Sequence, residues 1–148
     1  MKLLHNFFCR DIEAMSRFYQ AVLELPEDAA SRSPIYRAVA TPQFQFGFHA
    51  SAAYDLLQLS ERKPDDTRAL RPETTGYPTF MLDTPAAVDA AVQRALAHGG
   101  HCIKGPYATY YGEWQAVMAD LEEHVFRFSA LGLPAGVSAP ALQLPAAP

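Results

Sequence analysis

The sequence predicts an α+β chain in which one structural plan is used twice. Three observations carry this. Short apolar runs with period-two alternation lie beside two stretches of helical spacing. The order strand–helix–strands returns after a charged, proline-containing connector. Sliding the first helix onto the second by 73 residues puts Met15 on Val88, Tyr19 on Val92, Gln20 on Gln93 and Leu23 on Leu96. The expected organisation is a single domain over residues 1–130. Its module one spans 1–50, its connector 51–75 and its module two 76–130, and a Pro/Ala-rich tail follows over 131–148.

The elements follow in order. Lys2 to Phe8 is apolar, too short for a helix, and reads as a strand. Its alternation places Leu3, His5 and Phe7 on one face and Leu4, Asn6 and Phe8 on the other. Asp11 is a good N-cap, and Ile12, Met15, Tyr19 and Val22 recur at helical spacing until Leu25-Pro26. Ile35 to Ala40 and Phe44 to His49 read as two strands, and Tyr54 to Leu59 as a short helix. Glu61 to Glu73 mixes charges with two prolines and reads as a solvated loop. Tyr77 to Leu82 is the next strand, and Thr84-Pro85 opens a helix that Gly99-Gly100 ends. His101 to Lys104, Trp114 to Ala119 and His124 to Phe128 complete the second unit as strands. The uncharged tail reads as flexible.

Composition excludes several functions. The chain has 148 residues, 49% hydrophobic and 19% charged, which suits a globular core and not disorder. Its net charge of −4 and the lack of any Lys/Arg cluster speak against a nucleic-acid partner. No apolar run approaches the ~18 residues a membrane span needs, and the N-terminus meets charge too soon for a secretory signal. Cys9 and Cys102 are widely separated, which fits two buried thiols in a reducing, cytoplasmic setting. Phosphate loops, nucleophile elbows and dinucleotide fingerprints are absent.

Two stretches resemble a known family. HNFFCRDIEAMSRFYQAVLEL is similar to the opening of the vicinal oxygen chelate superfamily, and FMLDTPAAVDAAVQRALAHGG with MADLEEHVFRFSA resembles its second module. That superfamily includes glyoxalase I, bleomycin-type resistance proteins, fosfomycin-resistance enzymes and extradiol dioxygenases. The resemblance implies two tandem βαβββ modules forming a curved mixed-sheet cup, commonly in a homodimer that completes the pocket across its interface. It also implies metal ligands, in metal-dependent members, on four strands: the first and last of module one, and the first and last of module two.

Carried over position by position, the resemblance gives His5, His49, Tyr77 and Arg127 for those four places. The family's Asp-Pro-x-Gly-Asn turn reads here as Asp120-Leu121-Glu122-Glu123-His124, without its glycine. Tyr77 is a poor metal ligand when protonated, with a usual pKa near ~10. Arg127 is permanently cationic and offers no lone pair. The expectation is therefore a cup with no cofactor that binds a small anionic or carbonyl-bearing molecule. In it His5 or His49 is the candidate base, and Arg127 and Tyr77 bind the anion or a developing oxyanion. Tyr107, Tyr110, Tyr111 and Trp114 cluster in PYATYYGEW, where they can stack on a flat ligand, and Tyr36 can join them. Whether the chain turns a substrate over is left open. One alternative is a metal-dependent glyoxalase-like lyase or extradiol-type dioxygenase, with Fe, Mn, Ni or Zn held by His5 and His49. The other is a resistance protein that sequesters a drug or toxin without chemistry.

Overall fold

The computed structural model describes residues 1–64 and 73–144. Most of the expected solvated loop, and the last four residues of the tail, lie outside the described residues. Module one contains β1 (Leu3–Cys9), α1 (Ile12–Leu23), β2 (Tyr36–Ala40) and β3 (Phe44–Ala50), and the connector holds the short α2 (Ala53–Leu56). Module two contains β4 (Thr79–Leu82), α3 (Pro85–Ala97), β5 (His101–Ala108), β6 (Glu113–Ala119) and β7 (Val125–Leu131). The first sheet has the order β1-β3-β2, the second β4-β7-β6-β5. In each, the strand before the helix runs parallel to its neighbour, as a strand–helix–strand crossover requires.

The two long helices, α1 and α3, start as their sequences dictate. The Asp11 carboxylate accepts from the Ala14 N–H, and the Thr84 hydroxyl accepts from the Ala87 N–H with Pro85 just inside the helix. Glu24, in the left-handed region, ends α1 two residues before Pro26. The buried stripe Met15, Phe18, Tyr19 and Val22 of α1 meets Val88, Ala91, Val92 and Ala95 of α3 in one core. Phe46 and Phe48 from the first sheet and Phe80 and Phe126 from the second all pack around the Tyr19 ring.

That core fixes which way each sheet faces. Phe46 and Phe48 point inward, so their register partners His5 and Phe7 point inward too. Asn6, Phe8, Tyr36, Gln45 and His49 therefore share the opposite face. On the second sheet Phe80, Phe126 and Phe128 point inward, which turns Thr79, Met81, Gln115, Arg127 and Ser129 outward. Because the two inward faces pack on the same core, each sheet keeps its own open face.

Two departures from the sequence expectation matter. Among the described residues, no fourth strand joins the first sheet. Instead α2 follows β3, and its Tyr54 ring stacks on Phe8 at 3.7 Å, covering one end of the open face. The 120–124 turn forms a hairpin despite the missing glycine. Glu123 takes the left-handed conformation at φ 69°, and the Asp120 carboxylate accepts from the Glu122 and His124 N–H groups.

Candidate functional site

The second sheet's open face carries a polar network built around Gln115, which is completely buried by its neighbours. Its Oε1 accepts from the Tyr107 hydroxyl at 3.1 Å and from Arg127 Nη1 at 3.4 Å. Its Nε2 donates to the Tyr111 oxygen at 2.7 Å and to Glu113 Oε2 at 3.2 Å. Only one orientation of the amide satisfies a guanidinium on one side and a carboxylate on the other. Ser129 also donates to Glu113 Oε2. Burial is the first cause raising the Tyr107 pKa, so its phenol stays a donor at neutral pH.

Arg127 is held at its inner end and open at its outer end. Nε donates to Thr79 Oγ1 at 3.0 Å, and the guanidinium lies 5.2 Å from the centre of the Tyr77 ring. Among the described residues no carboxylate pairs with it, so three of its five N–H donors are unspent. Glu113, a natural candidate for such a pair, bonds Ser129 and Gln115 instead.

Tyr77 thus lies against Arg127, and Gln115 links Arg127 to Tyr111. Tyr110 stands beside Tyr111 at 4.9 Å, edge to face, and is about half exposed. Trp114 does not join them. It alternates to the inward face, where its indole N–H donates to Asp89 on α3 at 2.8 Å and its rings pack on the core. Glu113, Gln115, Thr79 and Ser129 were not singled out as site residues. The signal for the first two was available, since Glu113 and Gln115 flank Trp114 and must face opposite to it.

On the first sheet, Tyr36 donates to Asn6 Oδ1 at 2.9 Å and accepts from Gln45 at 3.2 Å, while its ring sits 4.6 Å from His49. Gly47 makes room for this, because a Cβ there would lie 2.0 Å from the Tyr36 oxygen. His49 Nδ1 is buried without a partner, and burial lowers the pKa of its imidazole. His5 lies elsewhere. It faces the core between Phe7 and Phe46, with Nε2 buried and unpartnered and its pKa also lowered by burial. His5 and His49 therefore point to opposite faces of one sheet and do not converge on one ion, contrary to the ligand pair expected for a metal-dependent reading.

The described residues do not otherwise offer a metal centre that fits. Cys9, Glu122 and His124 cluster closely enough for one, but their donors are taken. Glu122 accepts from the Arg10 and Asp11 N–H groups at the start of α1. His124 is bonded at both ring nitrogens, to Asp120 and to the Phe8 carbonyl. Burial, then the nearby carboxylates, push the Cys9 thiol far above its usual range, away from the thiolate a metal needs. Of the hollows among the described residues, one of about 680 Å³ is lined by residues 58–62, and one of about 170 Å³ is lined by Phe7, residues 73–76 and residues 123–125. Neither of these includes Arg127 or His49.

Comparison with known proteins agrees with this architecture. A family model described as a glyoxalase-like domain matches residues 3–129. A glyoxalase/bleomycin resistance protein/dioxygenase family enzyme from Burkholderia phytofirmans PsJN is 41% identical, with a TM-score of 0.78 over 86% of this chain and 96% of that one. A glyoxalase-related enzyme from Fulvimarina pelagi, 18% identical, gives 0.69 over 96% and 99%. The fosfomycin resistance protein FosX from Mesorhizobium loti, 17% identical, gives 0.60 over 90% and 92%. The last two share the fold. No curated protein matches the chain.

Proposed function

Because the chain belongs to the glyoxalase-like domain family, we propose that it binds a small organic anion in a metal-free site on the open face of its second sheet, anchored by Arg127. One observation carries the reading: Arg127 is oriented by Thr79, Gln115 and Tyr77, yet no described carboxylate neutralises it. A fixed guanidinium with free donors is matched to a carboxylate, and equally to the oxyanion of an enolate. A carbonyl-bearing substrate therefore falls within the same class. The exposed rings of Tyr77, Tyr110 and Tyr111 offer walls for an apolar body.

The cup itself requires a second copy of the chain. Each sheet has an open face of its own, and a homodimer laying the first open face of one copy over the second open face of the other builds one enclosed site. His49 then becomes the candidate base opposite Arg127, neutral because burial lowers its pKa. His5, turned into the core, takes no part. Among the described residues no free donors converge on this face, so loading with Fe, Mn, Ni, Zn or Co should leave the melting temperature unchanged. A metal that raised it would overturn the metal-free reading.

The direct test is titration of the full chain with butanoate and benzoate, followed by ¹⁵N–¹H NMR. Replacing Arg127 with Met keeps much of the side chain's length and removes its charge. Affinity should fall about tenfold, the scale of a charge-assisted hydrogen bond. Unchanged affinity in a folded Arg127→Met protein would sink the proposal.

A further inference from the structure

We propose that the ligand of this face is zwitterionic: its carboxylate meets Arg127 and a cationic amine meets Glu113. The inference rests on the anion site proposed above and adds the second charge. Glu113 is the other charged group built into the same network, and no described cation pairs with it. Its Oε2 accepts from Ser129 and Gln115, which leaves Oε1 free to take a further donor.

The face is polarised along its strands. Arg127 pairs in register with Val117, and so does Lys104, whose ammonium lies 4.0 Å from the centre of the Tyr107 ring. Two cations thus stand at the Val117 level. Glu113 stands four residues earlier on β6, at the level of Leu131. Gln115 sits between the two ends and bonds both.

Gln115 also sets the spacing. With 3.4 Å to Arg127 on one side of the amide and 3.2 Å to Glu113 on the other, the two charges lie no more than about 9 Å apart. A ligand lying between or above them needs its own charges roughly 3–9 Å apart once hydrogen-bond lengths are allowed. Three methylenes between amine and carboxylate fall inside that range. An anion without an amine leaves Glu113 unanswered, and an amine without an anion meets Arg127 and Lys104.

The probes are 4-aminobutanoate, butanoate and butylamine, titrated into the full chain by ¹⁵N–¹H NMR. The expected order puts 4-aminobutanoate about two- to fivefold tighter than butanoate, the scale of a partly exposed ion pair, with butylamine weakest. In Glu113→Gln, which keeps the shape and a hydrogen-bonding oxygen, the ratio of the two acids' affinities falls to about one. Equal binding of the two acids by the natural chain, or a gap that survives Glu113→Gln, would overturn the zwitterion inference. If Arg127→Met still weakens butanoate in that case, the anion site stands alone. If Arg127→Met has no effect, both readings fall.

Discussion

At the residue scale, His124 ties the two modules together. Its Nδ1 lies 3.1 Å from the Asp120 carboxylate and its Nε2 3.0 Å from the Phe8 carbonyl. Asp120 is fully buried and also accepts from Tyr19 and two backbone N–H groups, which is the bonding of an ionised carboxylate. Two acceptors at the two ring nitrogens call for an imidazolium. Burial lowers its pKa, but the Asp120 hydrogen bond and charge, the Phe8 carbonyl and Glu122 outweigh burial, and the net shift is upward. A folded-state pKa raised above the unfolded value stabilises the fold at low pH. The contribution is complete below about 6.5, the usual histidine value, and is lost as pH rises through the folded-state pKa. His124→Ala should therefore cost about 3 kcal/mol at pH 6, because it strands the buried Asp120 charge. Urea denaturation should show a smaller difference between the two proteins at pH 9. An equal difference at both values would mean that His124 acts through packing alone, by its stack on Phe7.

At the element scale, the 120–124 hairpin does more than turn the chain. Glu122 reaches from it to the first turn of α1, where its carboxylate accepts from Arg10 and Asp11 at 2.8 to 2.9 Å. A carboxylate at a helix N-terminus is favourable twice, by hydrogen bonding and by the helix dipole. Glu122→Ala should destabilise the fold by about 1–3 kcal/mol in chemical denaturation. A loss as small as that of an ordinary solvated turn glutamate would deny the clamp. No local sequence pattern reveals this clamp, since the partners lie over a hundred residues away. The elements themselves were legible. Caps at Asp11 and Thr84 and the alternation of Phe44, Phe46 and Phe48 are written locally. The side chain at each site position was less so. The resemblance assigns His5 to a ligand place, yet strand alternation beside Phe46 turns it into the core. Trp114 was read by its neighbours in sequence, when its period-two position assigned it to α3.

At the scale of the whole molecule, the chain leaves apolar side chains where a lone monomer gains nothing from them. β1 and β4 are edge strands of their sheets, and Leu4 and Met81 on their open faces are 52% and 53% exposed. Exposed apolar edge strands attract partners, and proteins normally protect or cover them. A second copy that covers these faces gives Leu4 and Met81 a buried role and encloses Arg127 with His49. The natural chain should therefore sediment at twice 16.3 kDa. Leu4→Glu places a charge in that contact on the sheet that does not carry Arg127, so it should shift the protein to monomer and weaken butanoate together. The coupling of the two readouts decides the matter. A monomeric natural chain that still binds butanoate would mean that one open sheet face suffices for recognition. A dimer untouched by Leu4→Glu would place the interface elsewhere, and His49 would lose its position opposite the guanidinium.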